Sequence, residues 1–446
     1  MMALEGLDTE SLERALRRAA AKRDRPREAA LGLALAAVHL TNDDRPAARR
    51  LYEAAYEACK LASDLAGAQE AATQLSQIFL QDAQGREAAD WGERALELCP
   101  SAGDTDHARA RLLHNLAVSH VQLEEPARAL QRYDEALACW RDTPAEAPPE
   151  ARCDCLLAKA QLLCRLGRSA EAVGVLLEAE AAGFGGRLKH EALQAELLGN
   201  ALVATGRGDE AIEPFRRSSK AWAELERPAD HCRATLALGE ALVGSSAEGV
   251  AGDERFADGV SHFRSYAALC RASGDIDGMV FGGWLVAKAY EGRGQMREAA
   301  AAWDALGALV SQTGSSGRDH RRRAAEVEAQ GPWPGPQERA AALVRAGKYC
   351  RDAQDAEGEL WCLDQRLKLA LDGHQHAAAA QALDEMGRCL GPDSEHALTI
   401  LSHRAHQLAR AGDEAGACLA ASEALALVEG ESDLSRALES ILDAFG

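Results

Sequence analysis

An all-α fold, a right-handed α-solenoid of antiparallel helical hairpins, is predicted by three observations on this sequence. Its 446 residues contain no run of alternating β-branched residues that would form a strand. Apolar residues make up 47% of the chain but aromatic residues only 4%, so that Ala and Leu, which favour helices, supply most of the apolar content. A pattern of small and bulky residues also recurs about every 40 positions.

The recurring pattern is clearest in residues 105–141. A small residue, Ala117, is followed by small Ala129 after 12 positions, by bulky Tyr133 after 16 and by small Ala136 after 19. The same frame, with some bulky positions lost, recurs in these sets: Ala36, Ala48, Tyr52 and Ala55; Ser76, Ala88, Gly92 and Ala95; Ala160, Ala172, Leu176 and Ala179; Gly199, Ala211, Phe215 and Ser218; Ala287, Ala299, Trp303 and Leu306; Ala405, Ala417, Ala421 and Ala424.

This frame has a direct physical reading. Two antiparallel helices cross closely only where small side chains meet, and a bulky side chain from the second helix then fills the gap toward the next hairpin. One hairpin cannot bury its apolar face alone, so the hairpins must stack. A further hairpin that begins at Gly239 is interrupted by about eight extra residues near Ser245 to Glu254, and Phe263 resumes the frame.

The pattern resembles the tetratricopeptide-repeat family, well over residues 27–311 and more loosely beyond them. The segment LLHNLAVSHVQLEEPARALQRYDEAL (112–137) looks much like the repeats of kinesin light chains. The first small residues lie near positions 36, 76, 117, 160, 199 and 239, a period near 40 rather than the family's 34 or so. The resemblance therefore implies a long-helix, protein-binding array similar to kinesin light chains and the Leu-Gly-Asn-repeat adaptors. We expect the extra residues in the second helix and in the loop between hairpins.

Breaks along the chain predict four segments. Three prolines in Gly331 to Pro336 (GPWPGP) make the most decisive break, and the stretch before them predicts one unpaired helix. The expected segments are an N-terminal helix at 1–26, about seven hairpins at 27–317, a single helix and proline-rich break at 318–336, and irregular helical repeats with a capping helix at 337–446.

The charge and composition of the chain limit the classes of partner that it is expected to bind. The net charge of −20 repels a phosphate backbone, and the two basic stretches, 14–27 and 318–323, are interleaved with acids or followed by them. They are expected to be solvated helix faces, with a partner contact as the alternative, and no nucleic-acid partner is predicted. The N-terminus lacks a secretory pattern and no apolar run is long enough to cross a bilayer. We therefore expect no membrane insertion and a cytoplasmic protein, with cytoskeletal association left open.

Side chains with chemical potential give little sign of catalysis. The 13 histidines do not include a pair four apart around an acid, and the 12 cysteines lack a CxxC motif. Cys59, Cys99 and Cys139 recur every 40 residues, with Cys270 at the matching place, which predicts buried core thiols. The expectation is no enzyme, no catalytic residues, no metal and no cofactor.

A groove along the first helices is the expected binding site. In arrays of this family the first helix of each hairpin lines the concave surface, with binding residues beside the first small position or three or four places from it. Trp284 would be an apolar anchor, and Asn200 could bond a peptide backbone as donor and acceptor. Leu33 and Ala37 occupy the faces where chaperone-tail clamps carry Lys and Asn, which argues against such a clamp. The predicted partner-binding residues are Gln77, His114, Asn115, Gln161, Arg165, Asn200, Glu240, Trp284 and Lys288.

Three functions follow in order of preference. The first is an adaptor that holds a peptide or protein partner in the groove. The second is an architectural subunit of a large assembly, for example cytoskeletal or axonemal, contacted on both faces. The third is a peptide-gated regulator, which ranks lower because the residues before the first hairpin are too few for a DNA-binding helix-turn-helix.

Overall fold

The computed structural model describes residues 9–99, 106–142, 149–392, 394, 396–428 and 432–445. Within them the chain forms helices and no strand, as predicted. The helices are α1 (Thr9–Lys22), α2 (Arg25–Thr41), α3 (Arg45–Leu61), α4 (Leu65–Gln81), α5 (Gly85–Glu97), α6 (Asp106–Gln122), α7 (Pro126–Asp142), α8 (Pro149–Arg165), α9 (Ser169–Ala182), α10 (Leu188–Ala204), α11 (Gly208–Glu224), α12 (Pro228–Val243), α13 (Gly249–Ser273), α14 (Ile276–Gly292), α15 (Met296–Gln312), α16 (Arg318–Gln330), α17 (Pro336–Asp352), α18 (Ala356–Asp372), α19 (His376–Leu390), α20 (Ala397–Ala411), α21 (Glu414–Leu425) and α22 (Asp433–Phe445).

The chain divides into two compact units, 1–244 and 245–446. The division falls at the predicted insertion near Ser245, and most of the extra residues lengthen the start of α13, which has 25 residues. Arg293 holds this extension: its Nη1 donates a hydrogen bond of 3.2 Å to the carbonyl oxygen of Gly252, and its guanidinium lies 4.5 Å from the Phe256 ring centroid. The four-segment organisation expected from the sequence stays a prediction.

Short turns with built-in caps separate most helices. Between α3 and α4, Ser63 adopts the left-handed conformation and the Asp64 amide donates to the carbonyl oxygen of Cys59 at 2.9 Å. The Asp64 carboxylate in turn accepts a bond of 3.0 Å from the Gly67 amide and caps α4. In some turns the residue in the left-handed conformation is a glycine. In others it is a non-glycine residue, namely Arg23, Asp43, Ser63, Ala83, Glu124, Glu226, Gln354 or His374.

The 40-residue period has a different origin from the one expected. Helices α2, α3 and α4 each have 17 residues and are joined by turns of three residues. The added length is therefore shared by both helices of the hairpin, and the expectation of a longer loop between hairpins is wrong for this repeat. The turn within the hairpin and the turn between hairpins both end in an aspartate that caps the next helix, so neither turn needs extra loop residues. Residues 143–148, between α7 and α8, lie outside the described residues.

The small-and-bulky frame is confirmed by burial. Ala117, Ala129 and Ala136 are completely buried and Tyr133 is nearly so. Where the frame has Ser76, its hydroxyl donates a 2.8 Å bond to the carbonyl oxygen of Ala88, across the helix crossing. The same small and bulky positions are buried in the other hairpins, including Ala36, Ala48, Tyr52, Ala160, Ala172, Leu176, Ala211, Phe215, Ala287, Ala299, Trp303, Ala405 and Ala417.

In unit 1 the first helices occupy the inner side of the stack. Each helix packs on the next one along the chain, as a solenoid requires. First helices also contact each other, in the pairs α2/α4, α4/α6, α6/α8 and α8/α10, whereas no pair of second helices in the described part of this unit has comparable contact. The first helices are therefore closer together, and their exposed side is the side on which a groove can form.

In unit 2 the helix before the proline-rich break is paired, which corrects the sequence-based expectation. Helix α16 packs on both α15 and α17, because Ala324 and Val327 face one neighbour while Ala325 faces the other. The break itself is anchored by Trp333, whose indole nitrogen donates a 2.8 Å bond to the carbonyl oxygen of Glu328. The predicted helices after the break are also present, as α17 to α22.

Candidate functional site

The residues predicted for the groove all lie on first helices. In unit 1, four of them are exposed, namely Gln161 and Arg165 on α8, Asn200 on α10 and Glu240 on α12. Gln77 on α4 and Asn115 on α6 are half-buried. Because α4, α6, α8 and α10 contact one another in sequence, their polar residues belong to one continuous side of unit 1.

His114 is placed differently from an ordinary groove residue. Its ring packs against Tyr133, with the ring centroids 5.8 Å apart, and its Nδ1 atom is buried with no hydrogen-bond partner among the described residues. Burial lowers the pKa of His114, despite the opposing charge of Asp154, so the neutral imidazole is favoured. His114 thus contributes mainly to packing between α6 and α7.

Lys288 on α14 is exposed but already paired. Its ammonium lies 2.9 Å from a carboxylate oxygen of Glu291, which also accepts bonds from the Trp303 indole at 2.6 Å and from Arg323 at 3.1 and 3.2 Å. Burial opposes the charge on Glu291, but hydrogen bonds from Arg323, Lys288 and Trp303 outweigh it and lower the pKa of Glu291 to about 2. Lys288 therefore serves an internal ion-pair network that joins α14, α15 and α16.

Trp284, by contrast, belongs to an exposed aromatic cluster. Its ring stacks on Phe281, with centroids 5.7 Å apart and planes 14° from parallel, and Phe281 meets the edge of Tyr266 from α13 at 6.5 Å. Phe281 and Trp284 remain 41% and 38% exposed. We call Tyr266, Phe281 and Trp284 the aromatic patch. Exposed stacked aromatics on a helix are the kind of rigid apolar anchor that dominates protein interfaces.

Sequence reasoning found Trp284 but missed Phe281 and Tyr266. A signal for Phe281 was available, because Asp277, Phe281, Trp284 and Lys288 follow the spacing of one helical face, and all four are exposed. Tyr266 lies on another helix, and only the packing of α13 against α14 brings it to the patch.

A cleft also lies beside α14, on a different face of the helix from the aromatic patch. It is a cleft of about 460 Å³ that α13, α14 and α15 line, with Gly283, Val286 and Tyr290 from α14. Its lining is mostly apolar, with Arg264 and Glu298 as charged members. Both faces of α14 therefore offer apolar surface.

The basic stretch at 318–323 is neutralised within unit 2. Arg322 lies 3.2 Å from Asp355, Arg323 pairs with Glu291 and Glu326, and Arg321 is 3.7 Å from Asp304. Arg318 bonds the side chain of Gln354. In the N-terminal stretch, Arg14, Arg17 and Arg25 likewise pair with nearby glutamates. Apart from Arg318, these arginines are engaged in internal ion pairs, which leaves less positive charge for a polyanion.

Most of the predicted core thiols are buried. Cys59, Cys99 and Cys270 have almost no exposed surface, whereas Cys139 is only half-buried. Burial raises the pKa of Cys59 to about 11. In the described part of the chain, no group of three or more His, Cys, Asp or Glu side chains is arranged to hold a metal ion. No helix there is both long and apolar enough to cross a membrane.

Comparison with known proteins agrees with the repeat frame. The tetratricopeptide-repeat family model matches residues 68–142, which extend from α4 to the end of α7. No curated protein matches the chain.

The chain is also similar to several solved structures. BtubC from P. vanneervenii is 20% identical, over 49% of this chain and 91% of that chain, with a TM-score of 0.42. The apo form of RapI is 12% identical over 67% and 99%, with a TM-score of 0.45. The putative kinesin light chain repeats of Podospora anserina are 18% identical over 46% and 95%, with a TM-score of 0.36.

Proposed function

Because the chain belongs to the tetratricopeptide-repeat superfamily, we propose that it is a non-catalytic scaffold or adaptor that holds a peptide or partner protein on its first helices. Arrays of this kind expose extended surfaces built from successive repeats. The observation that carries the proposal is the aromatic patch on α13 and α14. A cytoplasmic location, where thiols stay reduced, belongs to the same proposal.

The aromatic patch has the properties of a binding anchor. Phe281 and Trp284 are stacked on one helix, so their side chains lose little further freedom when a partner covers them. The chain contains only 20 aromatic residues, 7 Trp, 6 Tyr and 7 Phe, and half of them are buried. Two large rings left more than a third exposed and side by side are therefore a distinctive feature of this surface. The partner we expect is a protein segment that presents an apolar side chain to these rings.

Exposed polar residues on the first helices of unit 1 offer a separate binding surface. Gln161 and Asn200 carry amide groups that can both donate to and accept from a peptide backbone. They lie on α8 and α10, which contact each other. Such amides favour an extended segment without requiring a particular sequence.

An architectural subunit is the second candidate. It is favoured by exposed apolar residues on second helices, which a groove binder does not need. Leu177 on α9 is 49% exposed and Leu419 on α21 is 59% exposed. A subunit contacted on both faces would cover these leucines as well as the aromatic patch.

The test is affinity capture with the full-length chain and matched variants. The double variant Phe281→Ala/Trp284→Ala is compared with Trp361→Ala, which removes a somewhat more exposed aromatic from α18, and with Leu177→Ser/Leu419→Ser. Partners are identified by mass spectrometry, and circular dichroism checks that each variant folds. We expect the double aromatic variant to lose a partner that Trp361→Ala retains.

Other outcomes separate the candidates. Loss of partners only in Leu177→Ser/Leu419→Ser would favour the architectural role. If the double aromatic variant keeps every partner at the wild-type level, the aromatic patch is not the binding site. Asn200→Ala is the corresponding test for unit 1. A Lys288 variant is not used, because it would also break the ion pair with Glu291.

A further inference from the structure

A cap built from cysteine, aspartate and glycine occurs three times in this chain. In each copy the aspartate side chain accepts a bond from the glycine amide at the start of a helix, and the thiol five residues before the aspartate lies against that glycine. The three copies are Cys59, Asp64 and Gly67; Cys270, Asp275 and Gly278; and Cys350, Asp355 and Gly358. This recurrence explains why thiols are found at these places in the core.

The third copy has a second thiol opposite the first. One helical turn beyond the glycine, the copies carry Ala71, Gly282 and Cys362 respectively. Cys362 on α18 and Cys350 on α17 belong to the same buried cluster and line the same cavity. A Cβ added to Gly347 would be 3.7 Å from the Cβ of Cys362, so small residues on both helices allow this close approach.

The two thiols are also reachable. Both line a cavity of about 260 Å³, with Arg322, Glu326 and Trp361 among its other lining residues. Trp361 is 48% exposed, so the cavity lies at the surface of unit 2. Since a water molecule takes up roughly 30 Å³, a molecule as small as hydrogen peroxide fits easily. Cys350 and Cys362 are 4% and 2% exposed, so a bulky reagent would be at a disadvantage.

The two thiols differ in pKa, which favours a stepwise reaction. The hydrogen bond from Cys350 lowers the pKa of Cys362 and outweighs burial and the nearby carboxylates of Glu359 and Asp355, which oppose ionisation, whereas Arg366 favours it. The same bond, together with burial, raises the pKa of Cys350. Of the two thiols, Cys362 ionises more readily, so we assign Cys362 as the nucleophile and Cys350 as the resolving thiol.

We propose that Cys350 and Cys362 form a dithiol site that reacts with small peroxides and closes to a disulfide. The Cys362 thiolate attacks one oxygen of hydrogen peroxide, the O–O bond breaks, and Cys362 becomes a sulfenic acid as hydroxide leaves. The Cys350 sulfur then attacks the sulfenic sulfur, an S–S bond forms, and the sulfenic oxygen leaves as water with the Cys350 proton. The hydroxide takes up the proton that Cys362 had given up. Two thiols are thus oxidised by two electrons, and one peroxide is reduced to two waters.

The test uses the reduced full-length protein and equimolar hydrogen peroxide. Intact mass spectrometry should show a loss of about 2 Da as two thiols become a disulfide. Peptide mapping after alkylation should place this disulfide between Cys350 and Cys362. Cys270→Ser is the matched control, because it removes the thiol of a cap that lacks a facing cysteine, and it should react like the wild type.

Single variants of the pair separate the two steps. Cys350→Ser should stop at a Cys362 sulfenic acid that dimedone traps, whereas Cys362→Ser should leave Cys350 unoxidised. If mapping of the wild type shows Cys350 and Cys362 still alkylatable when other thiols have oxidised, or finds Cys362 paired with a different cysteine, the proposal is wrong. This readout needs only the wild type, so it decides the question even where a variant fails to fold.

Discussion

The ring of Phe215 lies directly over Gly199, so that a Cβ added to Gly199 would stand 2.5 Å from Cε1 of that ring. Phe215 is the bulky residue of the hairpin formed by α10 and α11, and Gly199 is the small residue on its first helix. The relationship shows why the frame needs a small residue at this crossing: the aromatic ring takes the space of a side chain.

Gly199→Ala should therefore destabilise unit 1, although alanine favours a helix. We expect a loss of about 1–3 kcal/mol in the free energy of unfolding, because the ring must shift in a packed core. Gly174→Ala is the control. Gly174 also lies within a helix, α9, but a Cβ there would have nothing within 4 Å. It should gain about 0.5–1 kcal/mol from helix propensity. Urea unfolding measures both, and equal effects would contradict the assigned packing.

Ala136→Leu tests the helix crossing between α6 and α7. Ala136 is completely buried, and a larger side chain should cost about 1–3 kcal/mol of stability. Ala138→Leu places the same side chain two residues along α7, at an exposed position, and should change stability by less than about 0.5 kcal/mol. Thermal unfolding of the two variants should separate them by several degrees. Similar melting temperatures would show that the frame is out of phase.

Glu291→Gln should weaken unit 2 far more than a nearby surface change. The carboxylate of Glu291 is 12% exposed and binds Lys288, Arg323 and the buried Trp303 indole, so a neutral amide there weakens both ion pairs and the bond from the indole. We expect a loss of about 2–4 kcal/mol. Glu326→Gln breaks the exposed pair with Arg323 and should cost no more than about 1 kcal/mol. Urea unfolding at neutral pH gives both values, and a larger cost for Glu326→Gln would refute the ranking.

The same carboxylate predicts a dependence on acid. The pKa of Glu291 is lowered from 4.5 to about 2, so the folded state favours its charged form. Its contribution is fully present above pH 4.5 and is lost as the pH falls through about 2. The stability difference between the wild type and Glu291→Gln should therefore be largest near pH 6 and shrink by pH 2.5. A difference that stays constant over this range would show that the charge of Glu291 is not what stabilises the network.

Much of the fold could be predicted from the sequence, because the frame depends on local spacing. Ala117, Ala129 and Ala136 are buried for the same geometric reason that made them recognisable. The pairing of α16 was missed, since a stretch as charged as RDHRRR suggests exposure. Its arginines are matched by acids from other helices, such as Asp304 and Asp355, and only the fold brings those into range.

The candidate site was predicted less completely. Trp284 was identified from its place in the frame, and its exposure agrees with that role. Lys288 was predicted for the groove because it follows the small residue Ala287, yet its ammonium pairs with Glu291 three residues later. Position in a repeat indicates which way a side chain points, whereas the partners it finds there depend on neighbouring helices. Tyr266 joined the patch for the same reason.

Replacing the left-handed non-glycine residues of the short turns by glycine is a route to higher thermal stability. A residue such as Ala83 holds a conformation that costs roughly 1 kcal/mol more than it would for glycine. Glycine would relieve that strain but would also make the unfolded chain more flexible, so each exchange should gain only some tenths of a kcal/mol. Ala83 is exposed, and other left-handed turn residues such as Ser63 are exposed too. Their exchanges could accumulate without altering any helix crossing or the aromatic patch, and a lineage at higher temperature could adapt through its turns alone.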